Sequence, residues 1–136
     1  MIETAIDEAI KGMTSSNKPV AEAMQKVPVH AATDVTGFGL KGHAANMAML
    51  SKVDIIINQL PLIRGTPVLT EIFGYPLLQG EAKETAGGML IAVSKDDADD
   101  LLEELEKRKV RHFEVGHVAN GSGIVNVLKT AKIIEA

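Results

Sequence analysis

The chain has no cysteine and no tryptophan, and its aromatic content is one Tyr and three Phe in 136 residues. Without cysteine, disulfides, thiolate metal centres and cysteine nucleophiles are excluded within this chain. So few rings argue against recognition of single-stranded nucleic acid by base stacking. No apolar run approaches the roughly 18–20 residues of a membrane span. The first residues, Met1-Ile2-Glu3-Thr4, show neither a basic region nor an apolar stretch of the secretory type, so a cytoplasmic location is expected. The formal net charge is −4, which offers no basic footprint for a nucleic-acid backbone. A domain of this sign that handles phosphates needs Mg²⁺ or local backbone donors to offset the charge.

What is present is ordinary globular material. Hydrophobic residues make up 46% of the chain. The length suits one domain, over residues 1–136, with a core of Ala, Val, Ile, Leu and Met. Residues 2–13 predict a helix with Ile2, Ala5, Ile6, Ala9, Ile10 and Met13 on one face. Pro19 opens a second helix and Pro28 closes it. Residues 29–35 read as a strand, 38–51 as a helix and 53–57 as a strand. The unbroken Ile55-Ile56-Ile57 implies burial on both faces. A short helix over 66–73, a loop over 74–84 and a strand over 88–94 follow. The next helix, to about Arg108, carries Leu101, Leu102 and Leu105 inward; its acidic run from Asp96 to Glu104 reads as a solvated face. Residues 112–119 and 123–128 read as two strands, and Asn120-Gly121-Ser122-Gly123 between them predicts a hairpin. The sum is an α+β fold with a mixed β-sheet packed against helices.

The stretch from Thr33 to His43 carries the chemistry. Its Gly37-x-Gly39-x-x-Gly42 spacing invites a dinucleotide-binding reading. That reading fails, because no acidic residue closes the following strand; Asp54 stands at the strand's start. A strand that ends in polar residues, a glycine turn and a helix start can still form an anion site. There Asp34 could hold Mg²⁺, and the Thr36 hydroxyl could touch a phosphate oxygen. The same residues also fit a plain helix start, with a capping Asp or Thr and glycines for close packing. Thr85-Ala86-Gly87-Gly88 poses the same pair of readings: a phosphate cradle of backbone N–H groups, or close packing before a buried strand. His43 fits packing or support of the turn better than direct contact with a ligand.

Thr33-Asp34-Val35-Thr36-Gly37-Phe38-Gly39-Leu40-Lys41-Gly42-His43 resembles the signature of selenophosphate synthetases (selenide, water dikinases). These lie within the aminoimidazole-ribonucleotide-synthetase, or PurM-like, superfamily. Met13 and Asn17 resemble the segment before that signature, and the stretch from Thr85 to Val93 resembles the family's second glycine-rich segment. The resemblance covers most of residues 10–128. It implies a PurM C-terminal-domain-like fold, the C-terminal half of a two-domain subunit. In that family the N-terminal domain carries the catalytic Cys or selenocysteine, a Lys and most ATP and metal ligands. The resemblance further implies Asp34 as a metal ligand, and Thr33, Thr36, Gly37, Gly39, Thr85, Gly87 and Gly88 as the phosphate-facing set. The implied cofactors are Mg²⁺ and ATP. The implied partner is an N-terminal ATP-binding domain, in cis or in trans, and a homodimer is expected. Departures from the family's wording include Ala86, which lacks a hydroxyl, together with Lys41 and Asn46. A stand-alone phosphate-binding or dimerising module of the same superfamily is the alternative. A sister activity, such as thiamine-monophosphate kinase or hydrogenase maturation, fits the wording of the first motif less well.

Overall fold

The computed structural model of the chain describes residues 2–81 and 86–136. Five helices and five strands follow one another as α1 (Ile2–Thr14), α2 (Lys18–Met24), β1 (Val29–Asp34), α3 (Gly39–Ser51), β2 (Val53–Leu62), α4 (Thr66–Phe73), β3 (Met89–Val93), α5 (Ala98–Lys107), β4 (Gly116–Asn120) and β5 (Val125–Glu135), with a short 3-10 turn at Leu77–Gln79. The strands form two sheets rather than one: β1 pairs with β3, and β2 lies between β4 and β5. β4 runs antiparallel to β2 and β5 runs parallel to it, so the larger sheet is mixed.

The expected hairpin does not form. β4 and β5 are not neighbours, because β2 lies between them. The 120–124 turn instead wraps the start of β2. Asp54 Oδ1 accepts the backbone N–H groups of Ser122, Gly123 and Ile124 at 3.0, 3.1 and 2.9 Å. Gly121 has to be glycine here, since a Cβ would overlap the Asp54 carboxylate. A polar residue at the start of a strand thus does the work that a cross-strand turn was expected to do.

Two further strands outrun their sequence signals. β2 continues past Ile57 to Leu62 through a register shift between Ile57 and Gln59, and β5 reaches Glu135. Pro61 masks the continuation of β2, because it has no N–H to give a ladder. Of the isoleucine run, Ile55 and Ile57 are buried, while Ile56 on the other face is only half-buried. One face of β2 is therefore sealed and the other partly covered.

Two cores hold the layers. Ala44, Met47 and Ala48 of α3 pack on Ile55, Ile57 and Leu60 of β2, joined by Ala31, Leu90 and Ala92 from the smaller sheet. Val20, Ala23 and Val27 pack on Leu101 and Leu105, joined by Met89, Ile91 and Val93. The period of two along β3 thus sends alternate side chains to different cores. Removing Ile57, which is fully buried, down to Ala carries a cost of about 2–5 kcal/mol by the usual behaviour of large-to-small core changes. The helix α1 buries little. Ala5 is its one buried residue, while Ile2, Ile6 and Ile10 are 55%, 51% and 49% exposed along one stripe. No helix among the described residues is long and apolar enough to cross a membrane.

The Asp54 carboxyl is held below the usual carboxylate range, chiefly by the N–H of Ile124, against a smaller opposing effect of burial and with help from Ser122 and Gly123. A depressed pKa adds stability that is present above the unfolded-state value, near 4 for Asp, and is lost as pH falls through the folded-state value. Urea unfolding should therefore find Asp54→Ala less stable than the parent at pH 7. The gap should close as the pH is taken below about 4. A gap that stays constant down to pH 2 would show that the carboxylate's charge is not what holds the turn.

Candidate functional site

The two glycine-rich segments singled out in the sequence meet at one end of the smaller sheet. Asp34, the last residue of β1, stands opposite Met89, the first residue of β3. Beyond that pair, the N–H of Val35 donates to the Gly88 carbonyl at 2.8 Å. Gly87 lies so close to the strand end that a Cβ would overlap the Val35 carbonyl. The side chain of Asn17, at the junction of α1 and α2, donates from Nδ2 to the Gly87 carbonyl at 3.0 Å. Asp34, Thr36, Gly37, Gly39, Gly87 and Gly88 thus share one region. Thr85 lies outside the described residues.

Side-chain direction divides the residues at the end of β1. The strand alternates between half-buried and exposed positions. Asp34 is on the exposed face with His30 and Ala32, and its carboxylate has no hydrogen bond or ion pair among the described residues. Thr33 points to the other, half-buried face, and its hydroxyl donates to the Asp34 main-chain carbonyl at 3.1 Å. Neighbours on a strand face opposite ways, so Thr33 and Asp34 do not converge on one ligand.

The turn into α3 is tight. The N–H of Gly39 donates to the Thr36 carbonyl at 2.9 Å, which closes a four-residue turn, and Gly39 has φ +68°. His43, one helical turn on, reaches back to brace this turn. Its Nε2 accepts the Thr36 N–H at 3.0 Å and lies 3.0 Å from Thr36 Oγ1. Because a backbone N–H can only donate, Nε2 is an acceptor and the neutral ring carries its proton on Nδ1. Nε2 has one lone pair, so the Thr36 hydroxyl beside it can only share the lone pair with the Thr36 N–H. The Phe38 ring lies against His43 with centroids 5.6 Å apart.

The helix start itself is partly closed. The N–H of Lys41, in the first turn of α3, donates to the Gly80 carbonyl at 2.8 Å, and Lys41 Nζ lies 3.4 Å from Glu81 Oε1. An anion cannot use a donor already engaged in this way, so the expectation of free N–H groups at this helix end is corrected at Lys41. Gly80 is buried with φ +80°. In the sequence it lies within the expected 74–84 loop. Lys41 and Glu81 also line an open cleft of about 450 Å³, together with Gly37, Phe38 and Asn46.

The donor set fits Mg²⁺ only in part. A single hard carboxylate such as Asp34 is an acceptable Mg²⁺ ligand, since that ion commonly binds one or two carboxylates plus phosphate oxygens and water. Among the described residues no group of three or more His, Asp or Glu could hold a metal ion. Asp34 is therefore at most one member of a ligand set completed from outside these residues.

The chain is similar to known proteins over most of its length. Residues 6–129 match the family described as AIR synthase related protein, C-terminal domain. A selenide, water dikinase of Methanocaldococcus jannaschii is 44% identical over 138 residues, covering 96% of this chain and 40% of that protein. One from Methanococcus maripaludis is 38% identical over 137 residues, covering 95% and 41%. Selenide, water dikinase 2 of Homo sapiens is 36% identical over 138 residues, covering 98% and 30%. The chain thus spans about two fifths of the length of the first two relatives. Among solved structures, E. coli HypE superposes with a TM-score of 0.68 at 22% identity, covering 84% of this chain and 36% of that one. That likeness confirms the fold class and carries no more.

The geometry separates two substitutions that look similar in sequence. Asp34→Asn should leave unfolding stability within about 0.5 kcal/mol of the parent, since an exposed, unpaired side chain is being exchanged. Gly87→Ala should cost about 1–3 kcal/mol, because the new methyl must displace the Val35 carbonyl. Chemical denaturation of the two variants side by side checks this. A Gly87→Ala protein as stable as the parent would mean the glycine segment does not lie against β1.

Proposed function

The chain belongs to the AIR synthase related family, as a C-terminal domain, and from that premise we propose that it is the C-terminal half of a selenide, water dikinase-type enzyme. The reaction proposed for the whole assembly converts ATP, selenide and water into selenophosphate, AMP and phosphate. What carries the reading is the meeting of the Asp34–Gly39 and Gly87–Gly88 segments at one exposed strand end, in a chain 44% identical over most of its length to a protein of that name.

In this proposal Asp34 is one ligand of a Mg²⁺ ion that neutralises phosphate charge when bound. This chain's own residues do the positioning. His43 fixes the Thr36 turn, and the Val35 and Asn17 contacts fix Gly87 and Gly88. Such a role is electrostatic and geometric, which is what phosphoryl transfer asks of a protein. The chain has no cysteine and no cluster of metal ligands among its described residues, so the nucleophile and the remaining ligands are assigned to an N-terminal ATP-binding domain, in cis or in trans. The uncovered stripe Ile2, Ile6 and Ile10 of α1 supports a face that something else covers. We place the protein in the cytoplasm. The second reading, a stand-alone phosphate-binding or dimerising module, is favoured by the same stripe if two copies cover it.

Two measurements test the proposal. The chain alone should show no selenide-dependent ATP turnover. Mixing it with the N-terminal part of the M. jannaschii relative should restore turnover, and Asp34→Asn should lower it by at least roughly tenfold, the scale seen when even an outer partner of a metal ligand is removed. Turnover by the repurified chain alone would overturn the two-part assignment; equal turnover with Asp34→Asn would remove the metal role. Separately, sedimentation equilibrium should find a two-fold dimer of the isolated chain at micromolar concentration, with Ile6→Lys shifting it to monomer. A parent that remains monomeric as its concentration rises would remove the exposed-face argument.

A further inference from the structure

Asn17 stands at the N-cap of α2, a position where its side chain would normally accept a helix N–H. It makes no such bond. Its amide instead reaches a carbonyl 70 positions away, that of Gly87, at 3.0 Å in a half-buried setting. A residue type suited to local capping thus forgoes the cap for a tertiary contact. That contact falls on a main-chain group next to the proposed Mg-phosphate site.

Glycine pairs are the loosest backbone a chain can offer. Gly87 and Gly88 have no side chains to hold them in place, so external contacts must do it. Two are present: the Val35 N–H on the Gly88 carbonyl, and the Asn17 amide on the Gly87 carbonyl. The Val35 contact fixes the side nearer β3. Asn17 fixes the peptide before it, and because a trans peptide is planar, holding the Gly87 carbonyl sets the direction of the Gly88 N–H as well. A donor segment ordered in advance does not spend binding free energy on ordering itself.

We infer that Asn17 is a positioning residue that pre-orders the Gly87–Gly88 segment for phosphate. This rests on the functional reading above and deepens it. The role needs the side-chain N–H₂ of Asn17; its capacity as a helix cap is incidental. Asp and Ser are both good N-caps, but neither can donate to Gly87 in Asn17's way. Asp has lost the donor, and Ser is neutral and too short.

The test is ¹⁵N NMR of the full chain, titrated with MgCl₂ and inorganic phosphate, for the parent, Asn17→Asp and Asn17→Ser. Both variants should stay folded, with the parent's amide pattern in α3 and β2. Both should show lower order parameters at Gly87 and Gly88. Both should bind phosphate roughly five- to tenfold more weakly, the worth of one neutral hydrogen bond. Variants that bind phosphate as tightly as the parent overturn the inference and leave the functional reading standing, as does weakening seen with Asp alone, which would report charge repulsion. A parent that responds at Asp34 and Thr36 but not at Gly88 also overturns the inference alone. A parent with no response at any of the three positions, alone and when mixed with the N-terminal part of the M. jannaschii relative, overturns the functional reading, and the inference with it.

Discussion

Three N–H groups converge on one carboxylate oxygen of Asp54, and the larger sheet is arranged around that convergence. With the 120–124 turn fixed to the first residues of β2, β4 and β5 are delivered to opposite sides of that strand. β2 becomes the central strand, and its buried face becomes the bed for α3. The first turn of α3 is where β1 ends and where the glycine turn sits. The Asp54 turn and the bed of α3 thus share β2, while Asp34 stands on the other sheet, opposite Met89 of β3. A charged acceptor suits the turn, since hydrogen bonds to an ionised group are shorter and stronger than neutral ones.

Much of the fold was legible because periodicity reports burial. The apolar stripes of α3 and α5 and the runs of β1 and β3 gave their elements within a few residues. The clearest failure is the hairpin. Asn120-Gly121-Ser122-Gly123 has the composition of a hairpin turn, and Asp54 has the look of a misplaced ribose ligand. Neither signal, taken alone, says that the two belong together, because their relation spans about 70 positions. The extension of β2 through Pro61 was hidden for a local reason, a residue that cannot donate to a ladder. α1 was legible as a helix, but its pattern could not say that the apolar face would stay uncovered.

The candidate site was legible as segments and illegible as geometry. The sequence brought forward Asp34, Thr36, Gly37, Gly39, Gly87 and Gly88, and the structure places them in one region. Alternation along β1 separates Thr33 from Asp34, and a reader of the sequence could have applied that rule. The Gly80 carbonyl on the Lys41 N–H had no such signal, since it joins an apparent loop to a helix start across 39 positions. Asn17 was visible as part of a resembling segment, yet its partner was not. What the site lacks is as informative as what it has. One carboxylate and a pair of glycines can orient a phosphate, but they cannot by themselves neutralise it.

β3 belongs to both cores, with Leu90 and Ala92 in one and Met89, Ile91 and Val93 in the other. The two clusters are therefore coupled through one strand. Withdrawing this five-residue strand exposes apolar surface on both sides at once and also releases its partner β1. In kinetic terms, an opening that withdraws β3 uncovers α3 on one side and α2 and α5 on the other. Native-state hydrogen exchange should then find one opening common to both layers, the one that withdraws β3.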